Sequence, residues 1–229
     1  MINEETYYDE WWQEGDQSME DTHLAHWRRV LRFIPDKDLR ECSVLDFGCN
    51  QGGFLRLLYE LRPFKEAIGT DLARRSIEQA NGRKGDLPIQ YRLTSSPEQF
   101  EHRFDVAFSL AVMYLLPDLQ EHARKMKQAL KPGGVYYATY ADYPNNPSFP
   151  LIKERINAHS AVPMQEHTLD DIAGAFFKEG FQVSIRRMIP EEFVELSPVS
   201  IWYRNVADHL QFAYEQAYLF QFTAIDKEG

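Results

Sequence analysis

With 229 residues and 44% hydrophobic composition, the chain can build one large α/β domain with insertions around a sizeable core. Its formal net charge of −10 argues against a nucleic-acid partner, whose phosphates reward clustered Lys and Arg; the pairs Arg28-Arg29, Arg74-Arg75 and Arg186-Arg187 are isolated. The two cysteines, Cys42 and Cys49, form neither a disulfide framework nor a metal motif, and no apolar run is long enough to span a membrane, so a cytoplasmic protein with no metal and no membrane contact is expected.

In chain order, Tyr7-Tyr8-Asp9-Glu10-Trp11-Trp12 places four aromatics within six residues, which reads as a hydrophobic staple onto the core. Trp27, Val30, Leu31 and Ile34 recur at i, i+3, i+4 and i+7 and predict a helix over 22–33, capped near Asp21 or Thr22. Ser43 to Phe47 reads as a buried parallel strand, followed by a small-residue turn and an amphipathic helix over 53–61. Glycines between strand and helix let a ligand approach the backbone, and a helix start offers free N–H groups. The next strand, 66–70, runs into Asp71, whose carboxylate can accept two hydrogen bonds from a ribose diol. A glycine turn with a distal acid implies a nucleoside-bearing cofactor.

Further elements are predicted at 72–80 (helix), 89–93 and 104–109 (strands), 118–130 (helix) and 135–140 (strand). Lys131-Pro132-Gly133-Gly134 reads as a hard helix stop before the last of these. The stretch from Asp142 to Pro150, with three prolines in seven residues, is not expected to be regular structure. A short helix is predicted over 151–158, then a helix over 169–178 begun by a Thr168-x-x-Asp171 capping box, then a strand over 181–188. Residues 190–212 form a second insertion around Trp202-Tyr203, and 217–225 reads as the last strand.

The turn reads Asp46-x-Gly48-x-Asn50-x-Gly52, with an acid ahead of the first glycine, unlike the G-x-G-x-x-G of dinucleotide sites. It resembles the first motif of the class I S-adenosylmethionine (SAM) dependent methyltransferases, with Asn50 where that family most often has glycine. The resemblance covers roughly residues 40 to 140, where the Phe104–Leu110 strand and the Pro-Gly-Gly before the next strand also match. It implies a Rossmann-like, seven-stranded, mostly parallel sheet with helices on both faces and an antiparallel last strand. The implied domain plan is an N-terminal helical and aromatic lid over 1–39 and a SAM-binding domain over 40–229, with insertions at about 141–167 and 190–212.

By motif position, Asp46, Gly48, Asn50 and Gly52 would lie along the methionine part of SAM, Asp71 would hold the ribose, and Leu72 would lie under the adenine. Thr94 and Ser95 stand where the family often has an acid near the adenine amine, and Leu110 would flank the sulfonium. An N-terminal aromatic segment folds over the cofactor in many small-molecule members, which gives Tyr8 and Trp12 an acceptor-facing role. Together with Tyr143, Trp202 and Tyr203 they would form an aromatic, weakly charged pocket for a small, partly apolar acceptor. Tyr114 and His167 are the candidates for a general base, if the acceptor needs one, with His23, His26 and His159 as further possibilities. The expectation is therefore a small-molecule methyltransferase that leaves S-adenosylhomocysteine as product, without nucleic acid, as a monomer or homodimer. The alternatives are a non-catalytic SAM-binding regulatory or assembly protein and, more weakly, an NAD-dependent oxidoreductase, which the acid at position 46 disfavours.

Overall fold

The computed structural model describes residues 17–160, 162–198 and 200–225. Seven strands form one sheet: β1 (Leu39–Phe47), β2 (Phe64–Asp71), β3 (Ile89–Leu93), β4 (Phe104–Ser109), β5 (Leu130–Ala141), β6 (Phe181–Arg187) and β7 (Ala217–Ala224). Their order is β3-β2-β1-β4-β5-β7-β6. The first five run parallel, and β7 is inserted antiparallel to both β5 and β6. This is the architecture expected from the sequence.

The sheet is covered on both faces because its strands alternate at period two. Val44, Val106, Phe108 and Tyr137 point to one face, where they meet Val30 and Leu31 of α1 (Gln17–Phe33), Phe54 and Leu58 of α2 (Gly53–Leu61) and Ile77 of α3 (Arg74–Arg83). Leu45, Ala107, Tyr136 and Phe222 point to the other, against Ala123 and Met126 of α4 (Leu119–Ala129) and Ile172 and Phe176 of α6 (Leu169–Lys178). A satellite cluster of Ile152, Ile156 and Met164 lies under α5 (Phe149–His159). Thr168 and Asp171 do form a reciprocal capping box at the start of α6.

Three predicted boundaries are corrected. The first helix begins at Gln17, about a turn before the predicted cap. Lys131-Pro132-Gly133-Gly134 is not a loop: α4 already ends at Ala129, and the stretch lies inside β5. The register shift between Phe104 and Val106 opposite it, with Gly133 at φ 75, accommodates the proline within the strand. The 190–212 insertion carries a short helix, α7 (Val206–Gln211), that continues through a wide turn over 212–216 into β7. Among the described residues no helix is long and apolar enough to cross a membrane.

Candidate functional site

The carboxyl ends of β1, β2, β3 and β4 open into one cavity of about 530 Å³. Its floor is the β1–α2 turn. Gly48, Asn50 and Gly52 all adopt positive φ, at 80°, 46° and 76°. Asn50 thus takes the left-handed conformation that its place in the motif demands, which asparagine tolerates better than most residues. The turn is tied to β2, since the Gly48 and Cys49 N–H groups both donate to the Thr70 carbonyl, at 2.8 and 3.0 Å.

Asp71 completes that tie. Its Oδ2 accepts from the Asn50 N–H at 2.8 Å and its Oδ1 from the Ala73 N–H at 2.9 Å, so one carboxylate braces both the glycine turn and the approach to α3. Asp46, at the end of β1, is buried, and its Oδ2 has no hydrogen-bond partner. Burial, with the nearby Asp71 charge second, pushes its carboxyl up to about 8. Leu72, Thr94, Ser95 and Leu110 all line the cavity as the motif positions require. Thr94 Oγ1 already accepts from the Ser96 N–H at 3.1 Å and the Gln99 side chain at 2.9 Å, so Ser95 is the freer hydroxyl there.

Beyond this end the cavity continues between α1 and the β4–α4 connection, past Trp27, Tyr114, Leu115, Leu116, Pro117 and Val162. Glu20 anchors the α1 side. It meets Arg56 of α2 at 2.6 Å and Arg83 of α3 at 3.0 Å, while Arg56 also donates to the Gln51 carbonyl and Arg83 to the Gln51 side chain. Half-buried Tyr114 has its hydroxyl pushed above the ordinary phenol value by burial. It stays protonated and so offers a hydrogen-bond donor rather than a base.

Several expected site residues lie elsewhere. Gly52 borders the turn, but a Cβ there would come within 2.4 Å of the Tyr91 ring, whose hydroxyl donates to the Gly52 carbonyl at 3.0 Å. Its lack of a side chain therefore serves packing against β3 rather than the cavity. His167 does not line the cavity: its Nε2 lies 2.7 Å from the Leu116 carbonyl, which requires a proton on that nitrogen, and Tyr140 donates to its carbonyl. Tyr143 stands behind the wall, edge-on to Tyr114 at 6.2 Å and stacked on Phe212 at 5.7 Å. Tyr203 stacks on His209 at 4.5 Å and Trp202 is exposed; neither lines the cavity. Of the 141–167 insertion, Ser160 and Val162 reach it. Tyr8 and Trp12 lie outside the described residues.

Among the cavity residues that the sequence reading passed over are Trp27, Glu121 and His122. Trp27 reads in the sequence as helix core, yet a Cβ on Gly53 would meet its ring at 2.7 Å, so it packs directly on the start of α2. Glu121 and His122 belong to a polar stripe of α4 that looks solvated, and nothing in the sequence marks them. His122 is buried beside Phe47, with Nε2 3.0 Å from the Tyr136 hydroxyl, and burial lowers it to about 3, so it is neutral.

The methyltransferase-domain family model matches residues 19–184. The chain belongs to the methyltransferase domain family. The fold and turn described above are those of its class I, SAM-dependent branch, and SAM is the cofactor. Among curated relatives, this methyltransferase-family chain is 30% identical over 131 residues to the tRNA U34 carboxymethyltransferase of Nautilia profundicola, covering 54% of this chain and 43% of that one. It is 29% identical over 147 residues to the trans-aconitate 2-methyltransferase of Rhodopseudomonas palustris, covering 63% and 56% respectively. The chain thus spans about half the length of these curated relatives. Its fold superposes with a TM-score of 0.81, at 17% identity, on a chain of the complex between the Haloferax volcanii Trm112 methyltransferase activator and a methyltransferase, covering 99% of this chain and 100% of that one.

The residues present fit SAM. A buried carboxyl with an unpartnered oxygen suits a ligand with cationic groups, and a backbone-braced acid, Asp71, next in sequence to the apolar Leu72 suits a ribose and base.

Proposed function

We propose that this chain transfers a methyl group from SAM to a small, largely apolar acceptor. The observation that carries the proposal is the cavity at the strand ends, whose motif-lined end continues into an end walled by Trp27, Tyr114, Leu115, Leu116 and Val162. When bound, SAM supplies a methyl carbon already activated by a sulfonium, so the protein's task is alignment and exclusion of water. Asp71 holds the ribose hydroxyls with its remaining lone pairs, Leu72 supports the adenine and Ser95 borders it, while Asp46, Gly48 and Asn50 follow the methionine part. Leu110 flanks the sulfonium. The β4–α4 connection and α1 orient the acceptor, with the Tyr114 hydroxyl as a donor to it. Of the N-terminal segment expected to serve as a lid, the described part is α1, which walls the cavity through Glu20, His23 and Trp27.

A tRNA acceptor is the second reading, favoured by the 30% identity to a tRNA U34 carboxymethyltransferase. Against it stand the net charge of −10 and the engagement of basic side chains in internal contacts, Arg186 over Phe33 and Arg187 beside Tyr218. Turnover of SAM can be followed as S-adenosylhomocysteine formed with fractionated small metabolites and, separately, with bulk tRNA. The expected result is product with an apolar metabolite fraction; product with tRNA alone overturns the small-acceptor reading. Binding of SAM without turnover in any fraction would favour a regulatory or assembly role.

A further inference from the structure

Asp46 differs from every other acid at the cavity in having nothing to balance it. It is 2% exposed, lines the cavity, and has an Oδ2 with no donor. Its neighbour Asp71 accepts from two backbone N–H groups. Glu20 has two arginines, and Glu121 has Arg124 and Lys125. The other ionisable groups around Asp46 carry no compensating charge. Cys49 on the same turn is buried and held as a thiol, Tyr91 from β3 and Tyr136 from β5 remain phenols, and His122 from α4 is neutral. Arg56 of α2 is taken by Glu20, and Lys125, which also lines the cavity, pairs with Glu121.

We propose that Asp46 carries a proton in the cofactor-free protein and gives it up to solvent when SAM binds, so that cofactor binding is coupled to release of one proton. A cationic group of SAM then occupies the position that the proton held against the buried carboxylate. The O–H bond of the Asp46 carboxyl breaks, the electron pair stays on the carboxylate, and the proton leaves to buffer. Burial sets the free carboxyl near 8, so at neutral pH it is almost wholly protonated before binding. The inference rests on the placement of SAM at the β1–α2 turn.

Isothermal titration of the chain with SAM at pH 7, in buffers of low and high ionisation enthalpy, reads the coupling directly. The expected result is release of nearly one proton per SAM bound, falling to near zero for Asp46→Asn. Wild-type binding without proton release, or equal release by Asp46→Asn, overturns the proposal. If Asp46→Asn does not fold, the wild-type affinity alone decides: it should tighten nearly tenfold from pH 6 to pH 7 and level off above about pH 8. An affinity independent of pH over that range overturns the proposal equally. A misplaced cofactor gives a distinguishable result, because Asp71→Ala would then bind SAM with wild-type affinity.

Discussion

Asp46 and Asp71 end neighbouring strands in unlike surroundings: Asp71 accepts two backbone N–H groups, whereas Asp46 is buried with an unpartnered oxygen. The folded chain holds the Asp46 proton more tightly than the unfolded chain does, so the associated stability is fully present below about pH 4 and is lost as pH rises through about 8. Asp46→Asn cannot ionise and escapes that loss. Its Tm relative to wild type should therefore rise between pH 5 and pH 9, and parallel Tm curves would contradict the assignment. Gly52 carries a second prediction at this scale. With φ 76 and Tyr91 in the way of a Cβ, Gly52→Ala should lose stability by about 1–3 kcal/mol in denaturant titration, rather than lose cofactor binding alone. At the scale of residues, the turn conformation of Asn50 and the acid at Asp71 were legible because both follow from spacing within a strand–turn–helix unit. The Gly52–Tyr91 contact was not, since it joins positions 39 residues apart that only the β2–β3 pairing brings together. His122 was hidden for a similar reason: its burial depends on Phe47 and Tyr136 from two other strands.

Among the elements, α1 walls the site through Glu20, His23 and Trp27. It is pinned by a partly buried ion-pair cluster, with the Glu20 and Arg56 side chains about one-fifth exposed. Glu20→Gln removes the charge from both arginine contacts, and should raise amide exchange across α1 and weaken SAM binding several-fold, consistent with about 1 kcal/mol for a pair at this burial. Exchange rates unchanged from wild type would show that packing of Trp27 and Val30 alone holds the helix. The capping box of α6 makes a cleaner stability prediction away from the site: Thr168→Ala should cost about 1 kcal/mol in denaturant unfolding with SAM affinity intact. Helices with an apolar stripe and a cap were legible to within a few residues, and the strands 89–93 and 104–109 were placed at their observed ends. Lys131-Pro132-Gly133-Gly134 misled because local chemistry favours a break there, while pairing of Leu130 with Phe104 and of Val135 with Val106, on either side of the stretch, carries the strand through it.

For the molecule as a whole, the parallel order of the first five strands and the antiparallel return of β7 place the turn, Asp71 and the β4–α4 connection at one edge of the sheet, where open α/β sheets bind ligands. That half of the site was legible from motif spacing. The proposed acceptor half was not: aromatic content pointed to the two insertions, yet Tyr143 and Tyr203 both pack on Phe212, Trp202 is exposed, and α1 with Tyr114, Leu115 and Leu116 forms the cavity wall. Side-chain direction in an irregular insertion is set by long-range packing, which composition does not encode. The account's central claim, that SAM binds on the β1–α2 turn with Asp71 on its ribose, is tested most directly by calorimetric titration of SAM into wild type and Asp71→Ala, with Tm measured alongside as a folding control. Each charge-assisted hydrogen bond is worth about 1.5–3 kcal/mol, so the account predicts one site per chain and a loss of affinity on the order of tenfold to a hundredfold or more in a variant that remains folded. Unchanged affinity in folded Asp71→Ala would contradict it.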